Sequence, residues 1–290
     1  MWALLHSAFV QSEIAHAVLV PAAVAVFVGA CGRLLASVTP RFGRHVMSYA
    51  VPAAFLAGYF GTYSNFTVPP ATVLSWVPWF LLVLTAIQSL PDGARRGAPV
   101  QLTRLLASAG AAALLLWPIL RHEAPSGALA TAAGVAILWA FSWAAADSPG
   151  VARVPLAAVL LSLSAALAAA APLSGSILLG QLGAALAAAL GGALLIARLT
   201  RAAAVLDGVP AATFIAGLLL VDLRFYAGAR EAVMSWLLVS GAAGLAASAV
   251  VRRYETTGVR AVVLPVLAAL IPAAFAITVA FKLSQAGGGY

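Results

Sequence analysis

Charged side chains are scarce in this sequence. They make up 8% of its 290 residues, against about 25% in a typical soluble domain. Hydrophobic residues account for 63%, and one water-soluble core of this size cannot hide that much apolar surface. The composition therefore excludes an ordinary soluble fold and indicates a chain that is surrounded mostly by lipid.

Cysteine and lysine are almost absent. Cys31 stands alone, which excludes a disulfide framework and a cysteine-based metal site. Lys282 is the only lysine, and this bias toward Arg, together with abundant Ala and Gly, suggests a GC-rich bacterial genome. The basic residues stand singly or in pairs at the ends of apolar runs, so the net charge of +8 does not indicate nucleic-acid binding. We therefore expect a protein of the bacterial inner membrane.

The motifs of common enzyme classes are missing as well. The sequence contains no His-Glu-x-x-His, no Gly-x-Ser-x-Gly, no phosphate loop and no paired-aspartate motif. Asp92 and Asp147 are isolated from other acidic residues. These absences disfavour a membrane-embedded enzyme.

Ten long apolar stretches are what the sequence does contain. Each meets or approaches the roughly 20 residues that a helix needs to cross a hydrocarbon core about 30 Å thick. They are predicted at residues 14–34, 46–62, 71–90, 102–120, 127–146, 153–172, 176–198, 209–226, 232–251 and 261–282. The loops between them are short, so we expect one all-α domain over residues 1–290, a polytopic transmembrane helix bundle.

The basic residues alternate between the two sides of these stretches. With the N-terminus outside, twelve of them, Arg104 included, fall on the cytoplasmic side, and four fall outside: Arg121, Arg224, Arg230 and Lys282. The positive-inside rule then predicts ten spans with both termini on the outer side. Met1 to Val10 carries no basic residue, so the first apolar run is predicted to be a retained span rather than a cleaved signal peptide.

Small residues recur at four-residue spacing in two of the stretches. They are Ser176, Gly180, Ala184, Ala188 and Gly192 in the seventh, and Ser240, Gly244 and Ser248 in the ninth. Such stripes let helix backbones approach closely, which is how helices gain packing energy in lipid. We expect tight helix contacts there. The same stripes are candidate contact surfaces for partner membrane subunits or for a homo-oligomer.

Ionisable residues at membrane depth are costly and are therefore the first functional candidates. Asp222 and Tyr226 share one face of the eighth stretch, whereas Arg224 points away from Asp222 on a regular helix. Asp222 should find a partner within the bundle: Arg224 of a distorted helix end, Arg230 or Arg121. The alternatives are a structural ion pair and a substrate-binding or proton-coupling site.

Glu13 and His16 lie three residues apart and share a face near the outer end of the first stretch. A Glu-x-x-His pair can bind a metal when other helices supply further ligands, and His6 and His122 are predicted on the same side. An interfacial hydrogen-bonding pair is the other interpretation. His45 is predicted at the opposite membrane surface from His16, which excludes haem ligation by these two residues. We therefore expect no resident cofactor or metal.

Two functions remain in competition. A carrier for a small or lipid-linked molecule is favoured by the number of stretches and by the prolines within them. In such a carrier, Gln181, Thr213 or Asp222 would converge on a polar cavity near mid-membrane. The alternative is a non-catalytic structural or assembly subunit of a multi-protein membrane complex, which the small-residue stripes and the absence of a soluble domain favour. In either case membrane lipids are the surrounding partner.

Overall fold

The computed structural model describes residues 15–68, 70, 72, 74–88, 97–121, 129, 132–137, 139–140, 143, 153–253 and 260–286. Regular structure in this part of the chain is entirely helical. The all-α class is thereby confirmed.

Ten α-helices with assigned bounds follow one another along the described residues, with a π-helical turn at Ala15–Leu19 and 3₁₀ turns at Leu74–Trp76 and Ala203–Gly208. The α-helices are α1 Val20–Val38, α2 Pro40–Ser48, α3 Ala50–Thr62, α4 Val77–Gln88, α5 Ala98–Leu120, α6 Arg153–Leu173, α7 Ile177–Thr200, α8 Val209–Phe225, α9 Glu231–Arg253 and α10 Arg260–Ala286.

Seven helical stretches within the described ranges are long and apolar enough to cross a membrane. They are Ala15–Val38, Ala98–Trp117, Arg153–Leu173, Ile177–Thr200, Ala203–Phe225, Glu231–Val251 and Val262–Ala286. These stretches identify the protein as a multi-pass membrane protein.

Three predicted spans have no counterpart among the seven. In place of residues 46–62, the chain forms two helices, the second of which, α3, has 13 residues. In place of residues 71–90 it forms α4, which has 12 residues. At 1.5 Å per residue these helices are about 20 Å long, short of a hydrocarbon core about 30 Å thick. Half of the predicted span 127–146 lies outside the described residues.

A single residue, Tyr49, separates α2 from α3. Its amide donates to the carbonyl of Val46, three residues back, so the helix tightens there. Pro52 explains the break, because it has no N–H to donate to the carbonyl of Ser48.

Despite this break, α2 and α3 together follow α1 along its length in the antiparallel direction. The neighbouring pairs, in order, are Gly43 with Ala36, Met47 with Gly32, Gly58 with Pro21, and Gly61 with His16. Residue numbers rise along α2 and α3 as they fall along α1, which is the antiparallel order. Pro40–Thr62 is therefore one broken helix lying against the first spanning helix.

The predicted small-residue stripes lie inside the chain's own bundle. Gly192 of α7 lies against Ala22 of α1, where an added Cβ would come within 2.7 Å of the Ala22 carbonyl oxygen. On α9, the Ser240 hydroxyl donates to the carbonyl of Ala269 at 2.7 Å, and Gly244 lies against Val159. The expected close helix contacts are therefore confirmed.

Aromatic side chains surround α8 near Phe214. Five residues form the aromatic cluster: Trp76, Phe80, Trp139, Trp143 and Phe214. The rings of Phe80, Trp139 and Trp143 contact the Phe214 ring, and Trp76 contacts Phe80. Trp139 stacks on Phe214 with the ring centroids 4.3 Å apart. The Trp139 indole also donates to the Phe214 carbonyl at 2.9 Å. The cluster thus joins α4, Trp139 and Trp143 to α8.

The start of α8 is attached to α2. The Arg44 Nε donates to Asp207 Oδ2 at 3.4 Å, and Asp207 belongs to the 3₁₀ turn that leads into α8. Next to this ion pair, Gly208 lies against the carbonyl of Ser48. These contacts fix the end of α8 that is far from Asp222.

Candidate functional site

Asp222 lies near the C-terminal end of α8 and is 3% exposed. The helix is apolar nearly all round, so it is buried along most of its length. Leu218, Leu219 and Leu223, which precede and follow Asp222 on the helix, are at most 1% exposed. A carboxyl group is therefore enclosed in an apolar part of the bundle.

Both carboxylate oxygens of Asp222 are buried and accept no hydrogen bond from the described residues. An ionised carboxylate without hydrogen bonds or a counter-charge is very costly in an apolar interior. Such a group is tolerated only when it carries a proton or when a cation lies against it. The arrangement is thus chemically suited to take up and release a proton or a cationic group.

The expected basic partners do not reach Asp222. Arg224 donates to the Ala229 carbonyl at 3.2 Å and pairs with Glu231 at 3.1 Å near the surface. Two residues along a regular helix correspond to a rotation of about 200°, and α8 remains regular through Phe225. The expectation of a distorted helix end is therefore wrong.

The other two candidate partners, Arg121 and Arg230, are exposed. Neither donates to the Asp222 carboxylate. The interpretation of Asp222 as one member of a structural ion pair is wrong for the described part of the chain.

Tyr226 lies one turn beyond Asp222, where α8 ends. Its backbone N–H donates to the Asp222 carbonyl at 2.9 Å. Its phenol hydroxyl donates to the backbone carbonyl of Leu115 on α5. Tyr226 therefore connects the Asp222 end of α8 to α5, while its ring remains partly exposed.

Thr213 and Gln181, which were expected to share a polar cavity with Asp222, do not reach its carboxylate. The Thr213 hydroxyl turns back to the Val209 carbonyl of its own helix at 3.5 Å. Thr213 also precedes Asp222 by nine residues, or about 13 Å of helix. Gln181 is half-buried in the first turns of α7 and donates no hydrogen bond to Asp222.

The metal hypothesis rests mainly on residues outside the described ranges. Glu13, His6 and His122 all lie there, whereas His16 is exposed in the π-helical turn and lies against Gly61. Among the described residues, no group of three or more His, Cys, Asp or Glu side chains is placed to hold a metal ion.

Arg104 is a buried residue that the sequence analysis placed at the cytoplasmic surface. It lies within α5 and is 2% exposed, with its guanidinium carbon 5.3 Å from the centroid of the Trp143 ring. An Arg near the end of an apolar run ordinarily extends to the headgroups, so the charge pattern did not predict burial. The one sign of burial in the sequence is that Arg104 lies inside the predicted span 102–120.

Comparison of the chain with protein-family models, with curated proteins and with solved structures finds no match. Function is therefore inferred from the side chains of this chain alone.

Proposed function

We propose that this protein is a carrier for a small molecule in the bacterial cytoplasmic membrane and that Asp222 is its substrate-binding or proton-coupling residue. The observation that supports this most strongly is the buried Asp222 carboxylate, which accepts no hydrogen bond from the described residues. Ionisable groups at membrane depth characteristically mark proton relays and substrate pathways. Such a group has a function when a proton or a cation binds to it from one side of the membrane and leaves to the other side.

Within this proposal the chain crosses the membrane ten times with both termini outside. The broken helix Pro40–Thr62 follows α1 throughout and supplies the second crossing, although neither of its parts spans alone. Consecutive spans must then cross the membrane in opposite directions. The packing of the longer helices supports this alternation.

Three helix pairs run in the directions that ten alternating crossings require. α1 and α7 are parallel, since Ala22 lies against Gly192 and Gly29 against Ile196. α6 and α7 are antiparallel, since Gly180 lies against Pro172 and Gly191 against Leu161. α6 and α9 are also antiparallel, since Gly241 lies against Leu163 and Gly244 against Val159. In the ten-span scheme, the first and seventh spans run in the same direction. The sixth span runs in the direction opposite to the seventh and the ninth.

A purely structural role does not explain a carboxylate at this buried position of α8. Replacing a buried polar group by an apolar one of similar shape is often neutral or stabilising. A purely structural helix would gain stability from Leu at position 222. Retaining the carboxylate is explained by a function that uses its charge, and a carrier is such a function.

The experiment uses purified protein in vesicles loaded with the pH-sensitive dye pyranine. Classes of small metabolite are added outside under an imposed pH gradient, and substrate-dependent changes in internal pH are recorded. We expect Asp222→Asn to abolish the flux while leaving insertion intact. Asp207→Asn, the same change at the opposite end of α8 in a residue paired with Arg44, is the control and should retain flux.

Two results would contradict the proposal. Equal flux through the wild type and Asp222→Asn removes Asp222 from the mechanism. Correctly inserted wild-type protein that moves none of the metabolite classes contradicts the carrier function itself.

A second candidate function, a non-catalytic subunit of a membrane complex, is favoured by the surface of α10. This helix turns a row of large apolar side chains outward: Leu264, Leu267, Ile271 and Phe275. A partner subunit would cover this row, but lipid covers such a surface equally well. Purification in a mild detergent distinguishes the two, because a subunit migrates with stoichiometric companions and a carrier migrates alone or as a homo-oligomer.

A further inference from the structure

Arginine side chains gather at the end of the bundle where α1 and α7 finish and α2 begins. α1 and α7 are parallel there, and Gly29 lies against Ile196. One turn beyond this contact the two helices reach Arg33 and Thr200, so Arg33 lies at the level where α7 ends. Arg201 follows directly after Thr200. The C-terminal ends of two spanning helices therefore each carry an exposed arginine.

α2 adds two further arginines to this end of the bundle. Its Gly43 side is buried against α1. Arg41 and Arg44 are three residues apart, so they share a face of α2, and both are exposed. α2 also contacts the 3₁₀ turn at Ala203–Gly208, which begins two residues after Arg201. We define the arginine cluster as the four residues Arg33, Arg41, Arg44 and Arg201.

Negative charge is scarce around the arginine cluster. Asp207 is the one acidic residue in α1, α2, α7 and the 3₁₀ turn that precedes α8. It pairs with Arg44 at 3.4 Å, and the Arg44 side chain remains 62% exposed in this pair. The side chains of Arg33, Arg41 and Arg201 form no hydrogen bond or ion pair with the described residues. Most of the positive charge at this end is therefore available to an anion.

The backbone at Arg201 is unfavourable for an arginine. Arg201 ends α7 with a φ of 53° and a ψ of 27°, in the left-handed region. It is the one residue other than glycine with a positive φ in the described part of the chain. A helix end of this kind usually carries Gly, which has no Cβ to clash, and strained residues concentrate at functional sites. A partner outside the chain accounts for an arginine here, because its side chain binds nothing within the described fold.

Large apolar side chains are exposed beside the arginine cluster. Val38, Phe42 and Leu199 are all more than half exposed. In a multi-pass protein, acyl chains cover such residues, and a long basic side chain beside them extends to the phosphates of the headgroups. A soluble acidic partner, such as an RNA or an acidic peptide, would leave these apolar side chains uncovered. The surface therefore favours a ligand that carries negative charge and apolar chains together.

We propose that the arginine cluster binds the phosphate of an anionic phospholipid, whose acyl chains cover Phe42 and its apolar neighbours. Arginine suits this ligand, because a guanidinium donates two parallel hydrogen bonds to phosphate oxygens and is more weakly hydrated than an ammonium group. A zwitterionic phospholipid gains less from the cluster, since its own ammonium group offsets the charge of its phosphate. This inference does not depend on the carrier function, because a subunit of a membrane complex would bind lipid in the same way.

Native mass spectrometry of the full chain tests the proposal. The protein is released from detergent micelles that contain equal amounts of phosphatidylglycerol, which is anionic, and phosphatidylcholine, which is zwitterionic, with the same acyl chains. We expect the wild type to retain phosphatidylglycerol in preference to phosphatidylcholine by at least about tenfold. Arg41→Gln and Arg201→Gly each remove one charge and should each lower this preference about fivefold.

Arg201→Gly is the sharper of the two variants, because Gly adopts the backbone conformation of residue 201 without strain. Its thermal unfolding midpoint in phosphatidylcholine micelles should equal or exceed that of the wild type, so a loss of lipid binding is not a loss of folding. Arg201→Lys keeps the charge and should retain more of the preference than Arg201→Gly. If Arg201→Gly unfolds at a lower temperature than the wild type, Arg41→Gln decides the question.

Arg121→Gln is the matched control, because it removes an exposed arginine at the opposite end of the bundle. Arg121 lies six residues beyond Leu115, which contacts Tyr226 at the end of α8 far from Arg44. The lipid preference of Arg121→Gln should equal that of the wild type. Inorganic phosphate in excess should not displace phosphatidylglycerol, because it has no acyl chains.

Three results would overturn the proposal. The first is equal retention of the two lipids by the wild type. The second is a preference that is unchanged in both Arg41→Gln and Arg201→Gly, or that falls as far in Arg121→Gln as in these variants. The third is displacement of phosphatidylglycerol by inorganic phosphate or by pentaglutamate, which would show a site for a soluble anion instead.

Discussion

The Tyr226 hydroxyl donates a hydrogen bond to the backbone carbonyl of Leu115, and this bond joins the end of α8 to α5. The two residues are 111 positions apart in the chain. Asp222, one turn before Tyr226, therefore lies beside a connection between two helices that belong to different parts of the sequence.

Removing this hydrogen bond should weaken the attachment of α5. We expect Tyr226→Phe to lower the free energy of unfolding by about 1 kcal/mol, the usual net contribution of one hydrogen bond. Reversible unfolding in mixed micelles measures the change. The control is Tyr49→Phe, because the Tyr49 hydroxyl makes no hydrogen bond with the described residues. Equal stability of Tyr226→Phe and the wild type would show that the bond contributes nothing.

Replacing the buried carboxylate should stabilise the protein while it removes the proposed function. Asp222→Leu eliminates two buried oxygens that lack hydrogen bonds, so at neutral pH we expect a gain of about 1–3 kcal/mol in the free energy of unfolding. Asp207→Leu breaks the partly exposed pair with Arg44 and should change stability by less than about 1 kcal/mol. A lower stability of Asp222→Leu would mean that the carboxylate makes favourable contacts in the fold.

The close contact of α7 with α1 should not tolerate a side chain at Gly192. A Cβ there would lie 2.7 Å from the Ala22 carbonyl oxygen and 2.9 Å from the Ala25 Cβ, so Gly192→Ala should destabilise the bundle by about 1–3 kcal/mol. An added Cβ at Gly110 of α5 meets no atom of the described residues within 4 Å, and Gly110→Ala should be neutral or stabilising by up to about 1 kcal/mol. The two variants are compared by thermal unfolding, and similar midpoints would contradict the contact.

Labelling of single cysteines tests the proposed orientation of the protein in the membrane. With Cys31 replaced by Ser, Asn65→Cys and Thr39→Cys each place one thiol at an exposed position beyond either end of the α1–α3 hairpin. A membrane-impermeant maleimide added to intact spheroplasts should label residue 65 and leave residue 39 unlabelled until the membrane is opened. The reverse pattern would place the termini on the cytoplasmic side.

The helices from residue 153 onward were largely predictable from the sequence. The predicted stretches 153–172, 176–198 and 232–251 correspond closely to α6, α7 and α9, because each apolar run is long and is bounded by loop-forming or basic residues. The break at Tyr49 was not predictable in the same way. Pro52 is compatible with a kink inside the predicted span 46–62 or with the first turn of a new helix, and the neighbouring contact of Gly208 with Ser48 depends on the tertiary fold.

The candidate site was predictable only in part. Apolar neighbours on every side of Asp222 indicate burial, and the structure agrees. The pairing of Arg224 with Glu231 depends on the turn that follows α8, and spacing alone does not decide between that partner and Asp222. The buried Arg104 lies against Trp143, which is 39 positions away in the chain, and spacing alone does not predict such a contact.

The two attachments of α8 restrict how Asp222 becomes accessible. One end is held to α2 through Asp207 and Arg44, and the other is held to α5 through Tyr226 and Leu115. A helix attached at both ends to different neighbours cannot slide along its own axis without breaking both attachments. In the proposed carrier, access to Asp222 should therefore come from the withdrawal of α5 from the C-terminal end of α8 rather than from a sliding movement of α8.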